Sequence, residues 1–301
     1  MKSSSDAIRA RWKDFSKNWS RVRRSPTSSA VHELRSTGRR LEACIAVVAE
    51  SAGISNARAA RQLERILSRL GPLRDLHIFR RALARFDVGH DDERFCRYLD
   101  RQQSREKRRL GHRLKANVKR ALRRRLDKVD RLFQKASDSW TYMEFRAAFE
   151  NVLQQQCARL TVSHRAWAEQ PDDKRFHGMR VELRGLRYAT EFATEVLGTL
   201  DYPDIQTHLR VMRNLQTIMG DIHDLHKLRT SLVAWTSSQS AKRRPALMNL
   251  ASQLQQKYES RMVEFKDHCR SFEGCLPTIL AAKSSTKSQS KKSPIINPAD
   301  S

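Results

Sequence analysis

The chain has 301 residues, room for one or two domains with an ordinary core. Its 59 Lys and Arg outnumber 33 Asp and Glu, giving a formal net charge of +26. Self-repulsion of that size opposes compaction, so a polyanionic partner is expected: nucleic acid, an anionic membrane surface or polyphosphate. No apolar run approaches the ~20 residues of a spanning helix, so no membrane span is expected. Arg9, Arg11, Lys13, Asp14 and Lys17 interrupt any signal-peptide core. Cys44, Cys96, Cys157, Cys269 and Cys275 include no C-x-x-C pair. They predict free thiols in a reducing cytoplasm, with no zinc or other metal site and no cofactor.

The pattern is helical throughout, with no convincing strand. Ile8, Trp12, Phe15 and Trp19 recur at helical spacing and predict a helix over 6–23, ended by Ser25-Pro26-Thr27. A second helix is expected from Ser28 to Ala52, closed by Gly53. Ser55 or Asn56 is placed to cap a third, running to Leu70. Gly71-Pro72 predicts a break there, and a fourth helix follows over 73–86. After a polar break at Gly89–Asp92, residues 93–136 read as a long charged helix bent at Gly111. Its Lys107-Arg108-Arg109 and Arg123-Arg124-Arg125 clusters fit a solvated face. Further helices are expected at 139–168, 174–197, 204–219, 222–237 and 242–272. The Ser- and Lys-rich tail lacks the apolar content to order itself.

Two segments repeat. Val31-His32-Glu33-Leu34-Arg35 with Arg39-Arg40-Leu41 matches Phe176-His177-Gly178-Met179-Arg180 with Arg184-Gly185-Leu186-Arg187 at a shift of 145 residues. Leu70-Gly71-Pro72-Leu73-Arg74-Asp75-Leu76-His77 matches Met219-Gly220-Asp221-Ile222-His223-Asp224-Leu225-His226 at a shift of 149, which also sets Arg61 on Arg210. Order, spacing and chemistry agree, so two similar helical halves are expected, about 25–138 and 139–275, after an N-terminal helix in 1–24 and before a basic tail in 276–301.

On a helix, positions i, i+3 and i+7 share one face. His32, Arg35 and Arg39 therefore point one way, as do His177, Arg180, Arg184 and Arg187. Guanidiniums grouped on one rigid face repel unless an anion sits among them, and their planar fork suits phosphate. The histidines add donors whose pKa neighbouring cations lower and a bound polyanion raises. Asp75 and Asp224 read either as helix caps or as carboxylates that fix an Arg or His of the signature.

These residues resemble the CHAD domain, the conserved histidine α-helical domain, whose pattern H-x-x-R-x-x-x-[RK]-x-L-R is followed by L-G-x-x-R-D. The resemblance covers both halves. It implies an all-α fold of two repeated antiparallel bundles related by a pseudo-twofold axis, with a basic central groove or cavity that binds inorganic polyphosphate. It also implies a cytoplasmic protein at polyphosphate granules. The implied binding residues are His32, Arg35, Arg39, Arg40, Arg61, Arg74, His177, Arg180, Arg184, Arg187, Arg210 and His223. Two positions depart from the pattern: Glu42 stands where the family usually has Arg, and His223 stands opposite Arg74. The E-x-E-x-K motif of the CYTH domain that often accompanies CHAD is absent, so a stand-alone CHAD protein is expected.

An enzyme is not expected. No G-x-x-x-x-G-K-[ST] occurs, and the acidic residues are scattered through basic helices. The rival reading is a nucleic-acid-binding or scaffold protein that uses its basic helices and tail. Helix-turn-helix, finger and single-strand signatures are absent, and few aromatics are available for stacking.

Overall fold

The computed structural model describes residues 4–86, 90–198, 205–239 and 244–273. Cys275 and the tail over 276–301 lie outside them. The described residues form helices only: α1 (Ser4–Arg24), α2 (Ser28–Ser51), α3 (Ala57–Leu83), α4 (His90–Arg113), α5 (Ala116–Ser137), α6 (Tyr142–Glu169), α7 (Asp173–Leu197), α8 (Ile205–Ser237) and α9 (Arg244–Glu273).

Local chemistry sets most boundaries. The Thr27 hydroxyl accepts from the Ala30 amide at 3.3 Å and starts α2. Gly53, at φ +63°, turns the chain out of it. Thr141 and Glu144 form a reciprocal capping box on α6, and Asp172 accepts from the Arg175 amide at 2.7 Å to begin α7.

Four expectations are corrected. Gly71-Pro72 does not break the chain, because α3 runs through it. Leu63, Ile66, Leu67, Leu70 and Leu73 continue one buried stripe across the pair, so packing outweighs the lost amide. Pro72 itself faces solvent. In the second half, 204–219 and 222–237 are likewise one helix, α8, carried across Gly220 by buried Met219 and Ile222. The long basic segment bends not at Gly111 but at Leu114-Lys115, where Lys115 turns extended and Leu114 is buried. Of the polar break expected at Gly89–Asp92, Gly89 lies outside the described residues, and His90–Asp92 already belong to α4.

The core comes in three parts. The largest joins α1, α2, α3 and α5 to the adjoining ends of α6 and α7; Phe15, Trp19, Leu34 and Leu67 are fully enclosed in it. A second lies among α6–α9, around Phe176, Leu186 and Phe265. A third joins the far ends of α3 and α8 to α4 and α9. Across the middle, like packs on like: α2 lies against α7, and α3 against α8. That is the arrangement a pseudo-twofold axis between repeated halves requires. Cys44, Cys96, Cys157 and Cys269 are free thiols, and burial pushes Cys157 up to about 12.

Candidate functional site

The four helices that meet at the middle bring both copies of the signature together. Arg35 and Arg39 come from α2, Arg74 and Asp75 from α3, His177, Arg180 and Arg184 from α7, and His223, Asp224 and Lys227 from α8. Arg35, Arg74, Arg180 and Arg184 are all largely withdrawn from solvent.

The two aspartates are not caps, since α3 and α8 continue well before and after them. Each faces the other half. Arg74 grips Asp224 at two points, Nη1 to Oδ1 at 2.7 Å and Nη2 to Oδ2 at 3.0 Å, and also reaches Asp75 at 3.1 Å. Lys227 closes on Asp75 from the opposite side. Burial opposes charge on both members of the main pair. On Arg74 burial acts downward, but Asp224 and Asp75 outweigh it and raise the pKa. On Asp224 burial acts upward and outweighs the pull of Arg74 and Arg180.

The guanidiniums around this clasp are cations under stress. Burial first, then Arg74 and Arg39, brings Arg35 down to about 10. Burial, then Arg39 and Arg180, brings Arg184 to about 10. Burial lowers Arg180 as well, although Asp224 resists it. Arg35 and Arg184 nonetheless stay protonated at neutral pH. Arg35 donates to the Leu67 carbonyl at 2.6 Å, in the turn just before Gly71-Pro72. Arg39 donates to Glu42 at 2.6 Å. Arg180 and Arg184 have no ion pair or side-chain hydrogen bond among the described residues, and the Arg180 Nε is buried without a partner. Buried donors left in this state call for an acceptor from outside the chain.

His177 and His223 lie with ring centroids 5.2 Å apart. Burial, then Arg180 and Arg184, lowers His177. Burial, then Arg180 and Lys227, drives His223 down to about 3. Both rings are therefore neutral at pH 7 while no anion is bound. His32 is exposed and opens on a cleft of about 550 Å³, shared with Arg74, Arg81, Arg85, Lys257 and Arg261. Asp221 and Asp224 also line this cleft, and Asp221 pairs with Arg261 at 3.1 Å.

Four predicted residues stand apart from the cluster. Arg187 is 7% exposed; it donates to Gln216 at 2.6 Å and Glu191 at 2.7 Å and lies 4.0 Å over the Tyr188 ring. Its place is structural. Arg40 is exposed, 5.9 Å from the Tyr188 ring centre. Arg61 and Arg210 are exposed about 20 Å along α3 and α8 from Arg74 and His223, too far to join them. Conversely, the sequence pattern did not single out Lys227, Arg81, Arg85, Lys257 and Arg261. Helical spacing carries the signal for most of them: Arg81 follows Arg74 on one face of α3, with Arg85 in the turn just past its end, and Lys227 follows His223 by one turn.

A basic, half-buried cluster with unpaired forks fits tetrahedral oxyanions. No three His, Cys, Asp or Glu side chains gather as a metal site would need among the described residues. None of the described helices is long and apolar enough to cross a membrane.

The family profile of the CHAD domain matches residues 6–233, which include both copies of the signature. The chain belongs to the CHAD family. The CHAD match begins within α1, whose Phe15 and Trp19 pack into the core of the first half. No curated protein matches the chain. The fold is similar to the crystal structure of the CHAD domain from the plant Ricinus communis, with a TM-score of 0.65 at 15% identity, covering 93% of this chain and 92% of that one. It is also similar to PptA from Streptomyces chartreusis, with a TM-score of 0.61 at 17% identity, covering 89% and 98%.

Proposed function

We propose that this CHAD protein holds inorganic polyphosphate in the groove between its halves, and that it binds the chain without turning it over. The observation that carries this reading is the pair of half-buried, unpartnered guanidiniums, Arg180 and Arg184, the first with its Nε fully enclosed. Membership of a family associated with polyphosphate binding supports it. A linear anion with a charge on every phosphate and no bases matches a groove lined by forks rather than by aromatic platforms. Arg35, Arg39 and Arg74 face the same anion, with His177, His223 and Lys227 as further donors. The same chemistry predicts association with polyphosphate granules in the cell.

The test is competition between long polyphosphate and RNA of equal charge for the wild type and for R35E/R39E/R180E/R184E. Polyphosphate should win in the wild type, and the variant should lose it. The Gln versions of the same four changes guard against misfolding, with helical circular dichroism as the check. Equal competition by RNA, or undiminished affinity in a folded variant, overturns the reading. Affinity should also fall steeply with salt as counterions are released. Release of orthophosphate from the chain would refute the claim that it is only held. A fluorescent fusion that ignores polyphosphate granules would remove the cellular part.

A further inference from the structure

The basic clusters of the long charged segment do not all behave as solvated faces. Within Arg123-Arg124-Arg125, Arg123 pairs with Asp127 at 2.8 Å and stacks 5.5 Å from the Trp12 ring centre. Arg124 and Arg125 turn the other way, into a cleft of about 510 Å³ between α5 and the beginning of α3. Arg58 and Lys128 complete its rim over an apolar floor that includes Ala59 and Val129. No carboxylate lines it. Arg58, Arg124 and Lys128 have no side-chain partner among the described residues. Arg125 spends one N–H on the Arg58 carbonyl at 3.1 Å, which fixes its fork at the rim and leaves the remaining donors available.

Four cations sharing one concave surface without a counter-charge repel one another, and Arg124 and Lys128 do so at the unfavourable i, i+4 spacing. An oxyanion in the cleft reverses the sign of that interaction. Arg58, Arg124 and Lys128 are exposed, and the concavity with the fixed fork of Arg125 is what distinguishes this place from a flat solvated helix face. The cleft is also remote from the groove. Arg58 and Arg74 lie on the same helix, about 24 Å apart along its axis. No single phosphate touches both.

We propose that this outer cleft is a second polyphosphate site, so that one molecule grips two separate stretches of polyanion. The proposal rests on the groove reading for the identity of the anion, but the two sites are physically distinct and fail separately. A long chain bound at both points gains from effective concentration, and two different chains become bridged.

The experiment uses the full chain and a polyphosphate too short to span the two sites, titrated calorimetrically against wild type, R58Q/R124Q/R125Q/K128Q and R180Q/R184Q. Two binding events are expected in the wild type and one in the outer-cleft variant, which keeps the groove event. With long polyphosphate, the outer-cleft variant should lose about tenfold or more in affinity. A single event in the wild type, or two in the outer-cleft variant, overturns the proposal. Two events in the groove variant with one in the outer-cleft variant would instead sink the groove reading and leave the outer site standing. A parallel titration with RNA separates the sources: if the outer-cleft changes abolish an RNA event but no polyphosphate event, the cleft is a nucleic-acid site and the proposal falls.

Discussion

The two copies of the signature fold alike but are wired differently. In the first half each guanidinium has a partner, Arg35 the Leu67 carbonyl, Arg39 Glu42, and Arg74 Asp224, although the Arg39 Nε is buried without one. In the second half Arg180 and Arg184 are half-buried with no such partners, while Arg187, which occupies the place of Glu42, is tied to Glu191 and Gln216. Glu42 thus explains its own departure from the family pattern, because it neutralises a neighbouring Arg. The same spacing produces an anchored set in one copy and an available set in the other. The available set is where an incoming anion gains most, because it displaces nothing.

The largest expected effect follows from that contrast. R180Q/R184Q should weaken polyphosphate binding by about a hundredfold, at roughly 1.5 kcal/mol for each charge-assisted hydrogen bond to the anion. R35Q/R39Q should cost about tenfold, since those donors must first leave internal acceptors. Equal losses in the two variants would erase the asymmetry.

Next in size is stability. Replacing Arg74 by Ala strands Asp224 in a half-buried site, and unfolding by urea should show a loss of about 2–4 kcal/mol. Adding Asp224→Asn should recover part of it. The equivalent change in the other half, His223→Ala, removes a neutral ring and should cost well under half as much. A silent Arg74→Ala would mean that the clasp contributes nothing.

A third effect is pH-dependent and belongs to the second half. The folded pKa values of His177 and His223 lie below the unfolded value near 6.5, the latter at about 3. The unfolded chain therefore binds more protons across that interval, and stability rises with pH there. The stability that His223 contributes is complete above about pH 6.5 and is lost as pH falls towards 3. A melting series in wild type and His223→Asn isolates it from the carboxylates, and the variant should show the flatter profile. A bound polyanion raises both histidine values, so binding should take up protons and strengthen as pH falls from 7 to 5. The limit is about tenfold per pH unit for each proton taken up. Calorimetry in buffers of different ionisation enthalpy counts those protons, and a count of zero would discard the histidines as donors.

The smallest effect lies in the first half. A Cβ on Gly38 would come within 2.6 Å of Leu67 Cδ2 and 3.3 Å of Phe15 Cε2. Leu67 must shift in a closed core, so Gly38→Ala should cost about 1 kcal/mol of stability and leave anion binding unchanged. A stabilised variant would show that α2 and α3 have slack where they cross.

Helix identity and most helix limits were legible in the sequence, since capping residues and apolar periodicity are local signals. Gly71-Pro72 misled because a local preference was set against the Leu67–Leu70–Leu73 stripe, and a stripe takes its strength from a neighbouring helix that no short window contains. The repeat picked out Arg35, Arg39, Arg74, Arg180 and Arg184, which the fold brings together where the halves meet. Arg61 and Arg210 also match in the repeat yet lie far from that cluster, because matching positions record a shared framework as readily as a shared ligand. Arg187 matches as well, but its guanidinium is held by Gln216, Glu191 and the Tyr188 ring. Lys227 was overlooked because a lone lysine one turn after a histidine looks like any solvated residue until Asp75 is seen opposite it.

The clasp between Arg74 and Asp224 makes cohesion and occupancy draw on one side chain. An anion that takes Arg74 for itself loosens the seam between the halves unless Asp224 finds another cation, and Arg180 lies close enough to act on it. Loading the groove is therefore also a rearrangement of its walls, in which a guanidinium from the second half can inherit the carboxylate that one from the first half gives up. How firmly the two halves hold each other becomes a gauge of what lies between them.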